Sequence, residues 1–110
     1  MVKPLIGDIV VLPFPQTDLK VGKRRPALVV ADLSGDDLVL CQITSQARRR
    51  DAYSVRLTTD DFERGTLNQD SLVRTSRLFT VDRSAVIYVA AKISVPKLDE
   101  VRTKLRELFA

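Results

Sequence analysis

The feature that most constrains this chain is a pair of short apolar segments separated by a cluster of turn-forming residues. Residues 27–31 and 38–43 are rich in Val, Leu and Ile, and the six residues between them include a serine, a glycine and three aspartates. Each segment is too short for a typical helix, so two antiparallel strands joined by a turn are the simplest interpretation. The sequence therefore predicts a β-hairpin within residues 23–46.

The two ends of this hairpin bring a basic segment to a hydroxyl-bearing one. If residues 34–35 form a two-residue turn, Arg25 lies directly opposite Thr44. If the loop is instead 34–37, the two residues are diagonal neighbours, about 7–8 Å apart at Cα. In both registers a guanidinium meets the hydroxyl groups of Thr44 and Ser45, and we expect the functional site at this meeting point.

Apolar or alternating segments elsewhere in the chain predict further strands. We expect strands at residues 6–12, 53–57, 71–75, 77–81 and 85–90; the third and fourth are either two strands or one long bent strand. Pro13 and Pro15 should end the first strand, because neither can donate a ladder hydrogen bond. Residues 16–23 are interpreted as a long basic loop, and residues 60–65 as a turn.

The C-terminal segment changes to a helical period. An apolar stripe with spacings of three, four and three residues is formed by Leu98, Val101, Leu105 and Leu108. Ser94 is the expected N-cap, and Pro96 suits the first turn. Five to seven short strands and one helix indicate a mainly β (α+β) fold, a small antiparallel β-barrel with a C-terminal helix, forming a single domain over residues 1–110.

Composition excludes several kinds of chemistry. The chain has no histidine and one cysteine, so neither imidazole catalysis nor a transition-metal site is expected, and we expect no cofactor. There is no apolar run of the roughly 18 residues that a membrane span needs, and no signal peptide is recognisable, so we expect a cytoplasmic protein without membrane contact. Eighteen basic against fourteen acidic residues give a net charge of +4, which permits an acidic partner.

Several short segments together carry a family resemblance. They are GDIV at 7–10, RPALVV at 25–30, ITSQ at 43–46, VRTS at 73–76 and FTVD at 79–82. In this order and spacing they resemble the MazF/PemK (Kid) toxins of type II toxin–antitoxin systems over nearly the whole chain. The resemblance implies an SH3-like barrel and a homodimer. It also implies a metal-independent endoribonuclease that cleaves single-stranded RNA and inhibits translation until a cognate acidic antitoxin neutralises it.

The same resemblance implies a catalytic set of Arg25, Thr44, Ser45 and Arg74. Guanidinium groups match phosphate oxygens and stabilise the charge that develops during phosphodiester cleavage. With no histidine to activate Thr44 or Ser45 as a nucleophile, a covalent triad is not expected. The resemblance implies instead that the 2′-hydroxyl of the RNA attacks the adjacent phosphate, which Thr44 and Ser45 position. Taken singly, each residue could equally be an ordinary polar residue at a strand end or an outward-facing arginine.

One position departs from the family pattern. The PemK/Kid branch carries an acidic residue where this chain has Ser76, so the expected carboxylate base is missing there. Asp18 and Asp8 are the candidate substitutes.

The predicted RNA-binding residues lie in the loops and strands around the catalytic set. They are Thr17, Asp18, Lys23, Arg24, Gln46, Arg48, Arg49, Arg50 and Arg77. Aromatic residues on which RNA bases could stack are few, and they must also fill the core, so the sequence indicates phosphate binding more clearly than base recognition. The alternative functions are a non-catalytic barrel of the same family that binds RNA and a barrel that binds only protein.

Overall fold

The computed structural model describes residues 3–14 and 23–110, which form seven strands and one α-helix. The elements are β1 (Asp8–Pro13), β2 (Arg24–Asp32), β3 (Asp37–Thr44), β4 (Ser54–Leu57), β5 (Phe62–Gly65), β6 (Ser71–Asp82), β7 (Tyr88–Ile93) and α1 (Val95–Leu108). Single 3-10 turns occupy Ala47–Arg49, Thr59–Asp61 and Arg83–Ala85.

All seven strands belong to one antiparallel sheet. Its order is β4-β6-β3-β2-β1-β7-β5, so β4 and β5 are the two outer strands. The sheet is curled into a half-barrel, and the helix follows it in the chain. This architecture confirms the predicted mainly β barrel with a C-terminal helix. None of the helices in the described part of the chain is long and apolar enough to cross a membrane.

One face of the sheet is covered by α1, and we call it the helix-covered face. Its buried side chains are Ile9, Leu28, Cys41, Ile43, Val55, Leu57, Val73, Ala91, Ile93 and, from the helix, Val101. Leu98 and Leu105 pack against this cluster from the same helical stripe. The hydroxyl of Ser94 accepts a hydrogen bond from the Lys97 amide at 3.4 Å, which confirms the predicted N-cap.

The opposite face has an apolar part and a polar part. Its apolar cluster consists of Val10, Leu12, Ala27, Val29, Leu38, Leu40 and Val86. Phe14 and Phe79 pack against this cluster. Their two rings contact each other edge to face, with centroids 5.2 Å apart. Because strand residues alternate between faces, the polar residues that continue these rows along β2, β3 and β6 lie on the same face.

The turn of the central hairpin differs from both predicted turns. Strand β2 extends to Asp32 and β3 begins at Asp37, where the carbonyl accepts a hydrogen bond from the Leu33 amide at 3.1 Å. A bulge between Val29 and Ala31 then shifts the register by one residue. The loop length therefore does not by itself determine how the two strands pair at their other end.

Two other predicted elements need correction. Residues 60–65 are not a simple turn, since Phe62–Gly65 forms an outer strand that pairs with β7. The last strand is Tyr88–Ile93 and not 85–90, because Arg83–Ala85 forms a 3-10 turn first.

The first and sixth strands also refine the predictions. Strand β1 begins at Asp8 and includes Pro13 as its last residue. The predicted strands at 71–75 and 77–81 form one continuous strand, Ser71–Asp82, with an irregularity that separates the pairs Gln42–Arg74 and Cys41–Leu78.

Candidate phosphate-binding site

The strand register places Arg25 opposite Thr44. Ala27 pairs with Gln42, and continuing this register by two residues along each strand aligns Arg25 with Thr44. This is the closer of the two predicted arrangements. Thr44 also pairs with Leu72 on its other side. The half-buried Arg25 and Thr44 therefore belong to one row that crosses β2, β3 and β6.

Arg74 occupies the next row of the same face. It pairs with Gln42 on β3 and with Ser54 on β4, while its neighbours Val73 and Thr75 are fully buried. Its Nη1 donates to the side-chain oxygen of Gln42 at 3.3 Å. Its Nε is buried without a hydrogen-bond partner among the described residues. A guanidinium left incompletely paired in this way is a candidate for a functional role.

Together these rows place two arginines on one face of the sheet, on either side of β3. Arg25 and Arg74 lie two strand spacings apart, about 10 Å, and are offset along the strands by about 7 Å, so their Cα atoms are about 12 Å apart. Gln42 and Thr44 lie between them. We call the surface formed by these four residues the open face. Two long cationic side chains that flank a hydroxyl and an amide can hold a phosphate group between them.

A bulge in β6 shapes the border of the open face. The amide and hydroxyl of Thr75 both donate to the Tyr53 carbonyl, at 3.4 and 2.5 Å, and fix the bulge to the segment before β4. Ser76 and Arg77 are exposed beside it. Arg77 lines a groove of about 450 Å³ whose other lining residues include Gln42, Phe14 and Phe79. The structure thus brings Arg77 next to the open face.

The segment after β3 is held by its own hydrogen bonds. Thr44 Oγ1 accepts from the Gln46 amide at 3.1 Å. The side-chain oxygen of Gln46 accepts from Arg48 Nη2 and from Arg49 Nε, each at 3.2 Å. Gln46 therefore orients two of the predicted RNA-binding arginines. Ser45, Gln46 and the three arginines at 48–50 are all exposed.

The remaining predicted residues are less closely connected with the open face. Arg24 points to the opposite side of β2 from Arg25 and lines a separate groove with Tyr88, so the structure does not bring it to the catalytic set. Lys23 is exposed just before β2. Thr17 and Asp18 lie outside the described residues.

Asp8 is not placed to act as the base. It begins β1, four residues from Leu12, the partner of Arg25, which corresponds to about 13 Å along the strand. Its carboxylate is buried and accepts a hydrogen bond from the Leu5 amide at 2.8 Å. Of the two carboxylates proposed from sequence, Asp18 alone remains a prediction.

The site offers no group suited to metal or thiol chemistry within the described residues. No cluster of His, Cys, Asp and Glu side chains there could hold a metal ion. Burial raises the pKa of Cys41 to about 12, so its thiol stays protonated. Two polar residues on this face of the sheet, Gln42 and Arg56, were not predicted from the sequence. Gln42 could have been found because it lies two residues before Thr44 and therefore shares its face.

The small, curled antiparallel sheet with one C-terminal helix defines the class of the protein as a small β-barrel. Residues 6–109 match the family described as PemK-like, MazF-like toxin of type II toxin-antitoxin system, and the chain belongs to this family. The resemblance proposed from the sequence is thereby confirmed.

Solved structures agree with this family. MazF of Deinococcus radiodurans is 29% identical, with a TM-score of 0.75 over 99% of this chain and 98% of that one. A MazE-MazF complex from the same organism contains a chain that is 28% identical, with a TM-score of 0.78 over 99% and 97%. An endoribonuclease from a mycobacterial species shares the fold at 16% identity, with a TM-score of 0.75 over 99% and 93%. No curated protein matches the sequence significantly.

Proposed function

We propose that this chain is the toxin of a toxin–antitoxin pair and acts as a metal-independent endoribonuclease on single-stranded RNA, thereby inhibiting translation. The observation that carries the proposal is the convergence of Arg25, Thr44 and Arg74 on one open face, with Gln42 bonded to Arg74. The family match and the similarity to MazF support it.

In the proposed reaction the nucleophile comes from the substrate. The RNA 2′-oxygen forms a bond to the adjacent phosphorus, and the bond from phosphorus to the 5′-oxygen breaks. The 2′-hydroxyl gives up its proton to a base and the leaving 5′-oxygen takes one up, so the products are a 2′,3′-cyclic phosphate and a 5′-hydroxyl. Arg25 and Arg74 stabilise the extra negative charge on the phosphate during this step, while Thr44 and Ser45 orient it.

Arg25→Ala tests the assignment. The variant should lose about 2–4 kcal/mol of transition-state stabilisation and cleave correspondingly more slowly, as expected when one charge-stabilising donor is lost. Arg102→Ala is the matched control, because Arg102 is exposed on α1. The measurement is single-turnover cleavage of an RNA whose cut site has been mapped from new 5′-hydroxyl ends. Full activity of a folded Arg25→Ala variant would contradict the site.

The absence of histidine from the sequence makes a second test of the mechanism possible. An imidazole acid–base pair gives a bell-shaped rate profile near neutrality, whereas no side chain here has an ordinary pKa between pH 5 and 8. We expect cleavage to persist in EDTA and to show no descending limb between roughly pH 6 and 8. A symmetric bell near neutrality would mean that a carboxylate or lysine with a strongly shifted pKa donates the proton.

The same RNA incubation separates the alternative functions. New 5′-hydroxyl ends identify a nuclease, whereas protection of RNA without cleavage identifies a non-catalytic binder. If neither cleavage nor protection is observed, a barrel that binds only protein is favoured.

We also propose an acidic antitoxin as partner. A MazE-MazF complex is among the similar structures, and in this chain Arg48, Arg49 and Arg50 are exposed close to the open face. An acidic segment that neutralises these arginines would compete with RNA. Binding of a copurifying partner only to α1, with RNA affinity unchanged, would contradict this competition.

We propose that the chain forms a homodimer through the exposed apolar side chains at the start of β7. Ile87, Tyr88 and Val89 are 41%, 52% and 47% exposed, and a groove of about 480 Å³ beside them includes Val11 and Pro26. The groove is also lined by Arg24, Thr66 and Asn68, and exposed apolar side chains rimmed by polar residues are typical of protein–protein contacts. Val89→Asp should convert the dimer to a monomer in sedimentation experiments, whereas Val95→Asp on the exposed start of α1 should not. Unchanged sedimentation of Val89→Asp would exclude this surface.

A further inference from the structure

A second basic cavity lies beside the open face, next to the outer strand β4. It has a volume of about 350 Å³ and is lined by Ser45, Ala47, Arg50, Arg56, Asp70, Ser71 and Leu72. We call it the edge recess. Its volume falls within the range of small-ligand pockets, and it contains two guanidinium groups and one carboxylate. Neither Arg56 nor Asp70 was among the site residues predicted from the sequence.

The strand register connects the edge recess to the open face. Thr44 pairs with Leu72, and Leu72 pairs with Arg56 on its other side. Arg56 is therefore on the same face as Thr44, two strand spacings or about 10 Å away. It lies on the side of Thr44 opposite to Arg25. An RNA strand that places a phosphate at Thr44 and continues toward β4 reaches the edge recess next.

Among the residues that the structure describes, Arg56 is held by one weak ion pair. Its Nη2 lies 3.8 Å from Asp70 Oδ2, and the two side chains are 67% and 63% exposed. Exposed pairs of this kind contribute little to stability, because solvent screens them and ordering the side chains costs entropy. A phosphate can therefore replace Asp70 as the partner of Arg56, in a charge-assisted bidentate geometry that suits guanidinium better.

We propose that the edge recess binds a second backbone phosphate of the RNA, adjacent to the one that is cleaved. Arg56 and Arg50 hold this phosphate, and Ser45 provides a hydroxyl donor at its border with the open face. Asp70 limits the affinity, because its carboxylate competes for Arg56 and repels the phosphate. This inference rests on the proposed function, since it takes single-stranded RNA as the ligand of the open face.

The proposal predicts effects of opposite sign for the two members of the pair. Arg56→Gln removes a phosphate ligand and should weaken RNA binding. Asp70→Asn removes a competing negative charge and should strengthen it. A pair that serves only to hold β4 in place would make both substitutions act in the same direction. The sign of the Asp70→Asn effect therefore separates ligand binding from a structural role.

The experiment measures the affinity for a single-stranded RNA that carries one 2′-deoxynucleotide at the mapped cleavage position, which prevents cleavage. Arg56→Gln should bind about three- to tenfold more weakly, and its slope of log affinity against log salt should be less steep by about 0.7, corresponding to one lost phosphate contact on a single strand. Asp70→Asn should bind more tightly at low salt. Arg102→Gln and Asp99→Asn, both exposed on α1, are the matched controls.

Two shortened RNAs make the test local. One lacks the nucleotides 5′ of the cleavage position and the other lacks those 3′ of it. Only one of them retains the phosphate that reaches β4, so only its affinity should respond to Arg56→Gln. Thermal unfolding of each variant verifies that the fold is intact.

Three results would overturn the proposal. The first is an affinity of Arg56→Gln and Asp70→Asn equal to that of the controls, and the second is weaker binding by both. The third is that Arg56→Gln binds RNA as wild type does but binds polyglutamate, a probe for an acidic protein, more weakly. That result would assign the edge recess to an acidic protein. A wild-type protein that binds RNA but leaves no 5′-hydroxyl ends would refute the proposed cleavage. The affinity series would then use the unmodified single-stranded RNA, which such a protein leaves intact, and would still test the edge recess.

Discussion

The two faces of the sheet use the same strands for different purposes. On β3, Cys41 and Ile43 are buried beneath the helix, whereas Gln42 and Thr44 face the other way and remain partly exposed. On the helix-covered face, folding removes a continuous cluster of aliphatic side chains from water, and this burial stabilises the fold. The open face keeps arginines accessible at some cost in burial. Because alternate residues point to opposite faces, substitutions on one face should change stability and on the other activity.

The largest expected effect is on the helix-covered face. Leu57 is buried in its cluster, and Leu57→Ala should lower the free energy of unfolding by about 2–5 kcal/mol through lost burial and the remaining cavity. Leu33→Ala is the matched control, because Leu33 is 41% exposed in the hairpin loop, and it should change stability by no more than about 0.5 kcal/mol. Urea unfolding measures both. Loss of cleavage by the folded Leu57→Ala variant would show that the helix-covered face also controls activity, contrary to this assignment.

On the open face, Arg74→Ala should reduce single-turnover cleavage by about 10²–10³-fold, the usual loss for a preorganised donor. Its free energy of unfolding should be unchanged or higher, because the variant no longer has the buried Nε that lacks a partner among the described residues. Arg102→Ala serves again as control. Strong destabilisation with intact cleavage would show that Arg74 stabilises the fold and does not act on the RNA.

A smaller effect is expected for Gln42, which touches Arg74 and positions it. Gln42→Met keeps the length of the side chain but removes the acceptor of the 3.3 Å hydrogen bond. Since hydrogen bonds to charged groups contribute about 1.5–3 kcal/mol, kcat should fall by roughly tenfold or more, with KM nearly constant. A rise in KM at constant kcat would instead indicate that Gln42 contacts the RNA directly.

The smallest effect concerns Asp82, an exposed charge at the end of β6. The backbone hydrogen bond from Ser84 lowers the pKa of Asp82, followed by the side-chain hydrogen bond of the same residue. A lowered folded-state pKa adds stability above the unfolded pKa of about 3.9, and this stability is lost as the pH falls through the lower folded value. Wild type should therefore be slightly more stable than Asp82→Asn at pH 7 and converge with it in acid. An equal difference in melting temperature at pH 7 and pH 2 would contradict this.

The local sequence was sufficient for some elements and insufficient for others. The apolar stripe and the Ser94 cap predicted α1 correctly, because both signals lie within the helix itself. Strand β5 was missed because Phe62–Gly65 is short and mostly exposed, and its pairing with β7 depends on a distant segment. Both predicted hairpin turns were wrong, whereas the register at the other end of the hairpin matches one of the two predicted arrangements of Arg25 and Thr44, since a bulge compensates for the longer loop.

The sequence by itself determined the class of the fold, the helix, the exclusion of imidazole chemistry and the family, because period, composition and short motifs are local properties of the chain. Only the tertiary structure decided which polar residues meet. Gln42 and Arg74 are 32 residues apart, and their hydrogen bond exists because β3 and β6 pair across the sheet. This pairing, together with that of β4 with β6, brings Arg56 near Thr44. Such contacts follow from the register of strands that are distant in sequence, which no local pattern encodes.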